Sequence, residues 1–200
     1  MDCPFCNYDD EIKYRLLKET ANFYLIPDLG NFIEGYLLII SKKHYINLSQ
    51  LESELIKELE DLEHVAKQFL SNTYNSKTIE FEHGSCELTK QKAGGCVDHF
   101  HLAIVATNED FLPKIVRDLG GGQKIKGFVD LKELNKKMSA YLLYKKNNQL
   151  FIWENAKILS QYIRRIMAKN NIEFNWRQNP NPINVKIVKE KWLKWANKNI

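Results

Sequence analysis

A chain of 200 residues, 44% hydrophobic and 27% charged, has the make-up of a soluble globular fold with room for a sizeable core. No apolar run reaches the roughly 18 residues a membrane helix needs, and Met1-Asp2-Cys3-Pro4 lacks the basic and apolar regions of a secretion signal, so a cytoplasmic protein with no membrane partner is expected. The net charge of +4 suits an anionic ligand, but Lys and Glu are interspersed along most of the chain, which is no signature of a nucleic-acid binder.

In chain order, Cys3-Pro4-Phe5-Cys6 comes first. Four cysteines are too few for a disulfide framework in a chain of this length, and no thioredoxin-like strand–helix unit follows this pair, so it reads as metal-binding. Residues 22–27 and 35–40 read as strands joined by a loop carrying Asp28 and Gly30. Ser49-Gln50-Leu51-Glu52 reads as a capping box opening a long amphipathic helix. Its stripe is Leu51, Leu55, Leu59, Leu62, Val65, Ala66 and Phe69, with His64 at the boundary.

Residues 78–82 follow as a strand, then the loop His83-Gly84-Ser85 and a flexible stretch to Gly94. A strand over 99–106 leads to a helix over 110–119, closed by the C-cap glycines 120–122. Segments 141–144 and 150–153 have hairpin spacing around turn-prone asparagines. A helix over 157–169, a Pro/Asn cluster at 179–182 and a basic helix over 186–199 complete the chain. Trp192 and Trp195 are expected to anchor that last helix.

The densest chemistry lies in Gly94-Gly95-Cys96-Val97-Asp98-His99-Phe100-His101-Leu102-Ala103-Ile104-Val105. On a strand, His99, His101, Ala103 and Val105 share one face, and Phe100, Leu102 and Ile104 turn to a core. Two imidazoles about 6–7 Å apart on a rigid strand can hold separate duties, one on a metal and one on a phosphate. The glycines upstream let the backbone approach an anionic ligand closely.

Together with the Cys-x-x-Cys pair and the run Gly35-Tyr36-Leu37-Leu38-Ile39-Ile40-Ser41-Lys42-Lys43-His44, this ordered set over residues 1–110 resembles the histidine-triad (HIT) family of nucleotide hydrolases and transferases. The resemblance implies an α+β, HIT-like fold: an antiparallel sheet of about five strands packed with helices. Residues 1–120 would form a nucleotide-binding core, and residues 121–200 a C-terminal extension of hairpin and helices packed on it. A homodimer is implied by the family alone.

The resemblance also assigns residues. Zinc, as a structural cofactor, would be held by Cys3, Cys6, His44 and His99, whereas Cys86 and Cys96 read as free thiols. His101 matches the middle, nucleophilic histidine, which attacks the α-phosphorus of a nucleotide or dinucleoside polyphosphate and forms a nucleotidyl-histidine. Its tautomer would be fixed by the carbonyl of His99. Backbone N–H groups near Gly94 and Gly95, with Ser85 or His83, would hold the developing charge. Asp28 would bind ribose hydroxyls, although turn chemistry alone also selects an Asp there, and His83 is equally suited to capping its loop. Ser160-Gln161-Tyr162-Ile163-Arg164-Arg165 and Phe174-Asn175-Trp176-Arg177 resemble a C-terminal pattern of some bacterial members. From it, Gln161, Arg164 or Arg177 would reach over the site to substrate phosphates, the alternative being a solvated helix face.

Three positions depart from the family pattern. Ala103 replaces the third histidine, Tyr36 stands where histidine follows the glycine, and Gly95 replaces a phosphate-touching glutamine. The function expected is therefore a nucleotide hydrolase or nucleotidyltransferase. Its alternatives are a zinc-stabilised nucleotide-binding or sensor protein with weakened turnover, and an aprataxin-like deadenylase of nucleic-acid ends, which only the basic C-terminal helix suggests.

Overall fold

The central strands read as unbroken apolar runs because both faces of the sheet are covered. In the computed structural model, which describes residues 3–30, 32–86, 93–94, 97–134, 139–169, 175 and 178–200, the chain opens with helix α1 (Asp10–Arg15) and strands β1 (Lys18–Glu19), β2 (Phe23–Pro27) and β3 (Tyr36–Ser41). A 3-10 turn (Leu48–Gln50) precedes helix α2 (Ser53–Tyr74). Strands β4 (Thr78–Gly84) and β5 (His101–Ala106), helix α3 (Leu112–Leu119), strand β6 (Gln123–Ile125) and helix α4 (Phe128–Leu134) follow. Strands β7 (Tyr141–Lys146) and β8 (Gln149–Glu154) and helices α5 (Tyr162–Met167) and α6 (Pro182–Asn199) complete it.

One antiparallel sheet of eight strands runs β1-β2-β3-β5-β4-β7-β8-β6. The α+β class holds, and the count exceeds five because the C-terminal hairpin and the short β6 beside it add to the sheet. Strand β7 pairs with the outer edge of β4 from Ile79↔Lys146 to Gly84↔Tyr141. The hairpin turn is Asn147-Asn148, both left-handed (φ 49° and 61°), the geometry that matches strand twist in a two-residue loop.

Alternation along β5 divides the core. Phe100, Leu102 and Ile104 pack under α2 and the buried side of α6, where Phe69 meets Trp192 and Trp195 with ring centroids 5.1 and 5.6 Å away. Ala103 and Val105 join Tyr36, Leu38 and Phe81 on the other face, which the N-terminal segment and α5 cover. His101 shares that second face.

Several expected boundaries shift. Strand β5 begins at His101 rather than 99, because Phe100 N–H turns to the Tyr45 carbonyl at 2.6 Å. Strand β4 runs through His83 and Gly84, which were expected in a loop. The capping box is not made: Ser49 Oγ donates to Asn47 Oδ1 at 2.7 Å, the Glu52 carboxylate accepts from the Tyr45 hydroxyl, and α2 starts only at Ser53. Gln161 is left-handed (φ 60°), so the helix expected over 157–169 forms only from Tyr162. The last helix starts earlier than 186, at Pro182, capped by Asn181 accepting from Asn184 N–H. No helix is long and apolar enough to cross a membrane among the described residues.

Candidate active site and metal centre

The N-terminal turn brings two thiols to the strand that carries the histidines. Cys6 N–H donates to the Cys3 carbonyl at 3.2 Å, which turns both side chains to one side. Cys3 Sγ lies 3.2 Å from His99 Nδ1, and Cys6 Sγ lies 3.1 Å from His44 Nδ1 and 3.5 Å from His99 Nδ1. The two Nδ1 atoms are 3.2 Å apart, and all four atoms lie within 4.8 Å of one another. An ion held tetrahedrally by bonds of about 2.0–2.3 Å separates its ligands by roughly 3.3–3.8 Å, so this two-thiol, two-imidazole set fits one.

The surroundings fit as well. His99 Nε2 donates to the Ser41 carbonyl at 2.8 Å, which leaves Nδ1 without a proton and facing the thiols. Burial and the neighbouring Cys3 raise Cys6 to about 11, so without a metal this thiol holds its proton at neutral pH. A bound dication would supply the charge that keeps both as thiolates.

Two residues beyond His99, His101 donates Nδ1–H to the His99 carbonyl at 2.7 Å. A carbonyl only accepts, so the proton sits on Nδ1 and Nε2 carries a free lone pair. Burial is the main cause that lowers the His101 pKa below the ordinary histidine value, opposed by its carbonyl partner and Asp28. The imidazole is therefore neutral at pH 7. Phe5, on the Cys-x-x-Cys turn, packs its ring edge-on to both His99 (5.7 Å) and His101 (5.5 Å).

His101 lines a pocket of about 50 Å³ with Asp28, Tyr36, His83, Gln161 and Arg164. Such a site offers a neutral ring nitrogen able to act as a nucleophile, the buried guanidinium groups of Arg15 and Arg164, and further hydrogen-bonding groups. A family model described as scavenger mRNA decapping enzyme C-term binding, of the HIT-like type, matches residues 2–114, more than half of the chain. The chain belongs to the HIT-like superfamily. No curated protein matches.

Among solved structures, a histidine triad nucleotide-binding protein from Sulfolobus tokodaii is similar at 16% identity over 98% of this chain and 96% of its own, with a TM-score of 0.48. A Hit-like protein involved in cell-cycle regulation from Bartonella henselae shares 22% identity over 48% of this chain and 67% of its own (TM-score 0.38). A Plasmodium falciparum diadenosine triphosphate hydrolase shares 16% over 62% and 78% (TM-score 0.42). The family assignment rests on the family model alone.

In this HIT-like chain the segment entering α5, with that helix's first turn, lies as a strap across the pocket. Gln161 N–H donates to the Gly94 carbonyl at 2.6 Å, and Ile163 N–H meets His83 Nε2 at 3.4 Å. Arg164 donates to Asp28 Oδ2 at 2.6 Å and to the Gly30 carbonyl at 2.5 Å, with its guanidinium 5.1 and 5.0 Å from the rings of Phe32 and Tyr36. The expected ribose carboxylate is thus joined to the expected phosphate arginine. Gly94 is left-handed (φ 82°), and a Cβ there would stand 2.9 Å from His83 Cδ2 and 3.0 Å from the Leu159 carbonyl. Its glycine is required by the strap itself.

Ser85 is buried at the end of β4, its carbonyl accepting from Asn47 Nδ2 at 2.7 Å, and it does not line the pocket. Gly95, Cys96 and Arg177 lie outside the described residues. Cys86 is buried and forms no disulfide with another described cysteine.

Sequence reasoning missed Arg15, which is buried on the pocket wall, donating to the Pro27 carbonyl at 3.2 Å and to Glu11 at 2.8 Å. Its signal was available: an Asp9-capped turn carrying Ile12 and Arg15 at helical spacing. It also missed Phe5, visible only as the aromatic between two metal-binding cysteines.

Proposed function

We propose that this HIT-like protein is a nucleotide hydrolase or nucleotidyltransferase whose His101 attacks an α-phosphate and carries a nucleotidyl-histidine intermediate. The observation that carries the reading is the 2.7 Å hydrogen bond from His101 Nδ1 to the His99 carbonyl at a pocket wall. It supports a neutral nucleophile with a fixed tautomer. The Nε2 lone pair forms the N–P bond while the P–O bond to the leaving group breaks, and the electron pair departs with that oxygen. Water or another acceptor then displaces the nucleotide and returns the pair to Nε2.

In this reading His83, Gly94, Gln161 and Arg164 contact the phosphates. Asp28 takes the ribose hydroxyls through Oδ1 or by exchanging Arg164. Cys3, Cys6, His44 and His99 hold one structural zinc ion, which staples Phe5 against His101. Such an ion supplies charge and rigidity, and the chemistry stays with His101.

A dimer is proposed from the family. It would not extend the sheet through β4, whose outer edge β7 already fills, and the sheet ends in the two-residue β1 and three-residue β6. The deadenylase reading draws no support from the buried side of α6, which packs with Phe69 on the sheet face away from His101. The sensor reading keeps one: Ala103 is 2% exposed and offers the pocket no polar contact.

Incubation with dinucleoside polyphosphates and nucleotidyl phosphoramidates, following monophosphate release and phosphorus label on the chain, tests the proposal. Label lost with His101→Ala supports it. Tight nucleotide binding with neither label nor turnover moves the assignment to the sensor.

A further inference from the structure

A displacement at phosphorus needs a donor at the oxygen where charge accumulates. On its own strand, His101 is followed across the same face by Ala103 and Val105, which donate nothing. The neighbouring strand supplies the alternative. Strand β4 pairs with β5 as Thr78↔Ala106, Ile79↔Val105, Glu80↔Ile104 and Phe81↔Ala103. Carrying that register two residues on places His83 beside His101, on the same face, and both line the pocket.

His83 is 7% exposed and holds a single assignable hydrogen bond, from Ile163 N–H to Nε2 at 3.4 Å. Because Nε2 accepts there, the ring proton belongs on Nδ1, and no acceptor for it is found among the described residues. The Cδ2–Nε2 edge is wedged against Gly94 and the strap, so the Nδ1 edge is the opposite one. We infer that His83 Nδ1–H is the hydrogen-bond donor to the departing oxygen, filling from the adjacent strand the role that Ala103 leaves empty on β5.

Burial above all, with His101 and the charged Arg164 close by, lowers His83 to about 3, so it acts as a neutral imidazole. It polarises without surrendering its proton, as neutral histidine electrophiles do. When Nε2 of His101 bonds to phosphorus and the P–O bond breaks, the electron pair stays on the leaving oxygen. That oxygen accepts the Nδ1–H bond and takes its proton from solvent after departure. The strap is then a positioning element, since Ile163 N–H sets the tautomer.

This inference rests on the nucleotidyl-histidine reading, and its test separates the two. The metal-loaded full chain is assayed with the n-butyl and 4-nitrophenyl esters of adenosine 5′-monophosphate, the second needing little help at its leaving oxygen. His83→Ala is expected to lower kcat on the butyl ester by roughly 10²–10³ and on the nitrophenyl ester by less than about tenfold, with KM little changed on either. His83→Gln, which keeps an N–H donor, should recover part of the loss, and so should Ala103→His placed in the His83→Ala background. Equal loss on both esters, or no loss with label on His101 intact, overturns the donor role and leaves the nucleophile standing. Absence of label in the unmutated chain overturns both.

Discussion

His101 donates to the main-chain carbonyl of His99, and the side chain of His99 presents its Nδ1 to Cys3, Cys6 and His44. The proposed metal centre and the proposed nucleophile are therefore neighbours along the backbone that enters β5. Phe5 closes the arrangement from the cysteine side by packing on both imidazoles. A change at the cysteines reaches His101 through Phe5 and through the His99 carbonyl.

Chelation tests that coupling. Protein purified without chelators should carry one zinc per chain by metal analysis. Its removal should lower Tm, because metal bound only by the folded site is folding free energy. Cys6→Ser should reproduce the loss and slow labelling of His101, although Cys6 is remote from the reacting phosphorus. A full zinc complement in Cys6→Ser, or an unchanged Tm after verified metal removal, would contradict the four-ligand site.

The grouping of Cys3, Cys6, His44 and His99 was legible through the family resemblance that the ordered motifs carry, and the strand carrying His101 was legible because its apolar alternation is clean. The strap was not. Gln161 sits in a left-handed conformation that propensity does not favour, and its partner Gly94 is distant in sequence. Nor was the third part of the sheet: β6 is three residues long, too short for a periodic signal, and helix α4 follows it at once. His83 was misplaced in a loop because Gly84 resembles a turn residue. In the fold that glycine serves packing, since a Cβ there would stand 2.5 Å from the Tyr141 ring.

The Asp28–Arg164 pair predicts a stability cost. Both side chains are buried, so Arg164→Met leaves the carboxylate unpaired. Loss of one partner from such a pair costs about 3–5 kcal/mol, which for a chain of this size lowers Tm by about 10 °C. Hydrogen exchange over residues 158–167 should accelerate in the same variant. Adding Asp28→Asn should recover much of the Tm. A Tm within a degree of the unmutated chain would show that the pair does not fasten the strap.

Ala103→His in the otherwise unmutated chain separates a weakened enzyme from a sensor. The new imidazole would share the face of His101. Turnover of the best substrate should rise several-fold if a missing contact limits the chemistry, read as a change in kcat at constant KM. An unchanged kcat, with a stable fold by circular dichroism, would favour the sensor.

Glu82 predicts the pH dependence of stability. It is fully enclosed between the Tyr141 hydroxyl, which donates at 2.7 Å, and Leu48 N–H, which donates at 2.9 Å. Burial outweighs both donors and raises its pKa from the ordinary 4.5 to about 8. A raised folded pKa means that folding takes up a proton, so the stabilisation is complete below about pH 4.5 and is lost as pH rises through about 8. The loss across that window is on the order of 5 kcal/mol. Glu80, raised to about 7 beside Glu63, Lys145 and Lys67, titrates in the same range, so the measurement must be a difference. Urea midpoints of the unmutated chain should fall between pH 5 and pH 9, and those of Glu82→Gln should fall less, with the curves diverging most above pH 7. Parallel curves would mean that Glu82 stays charged in the folded protein and that its two donors compensate its burial.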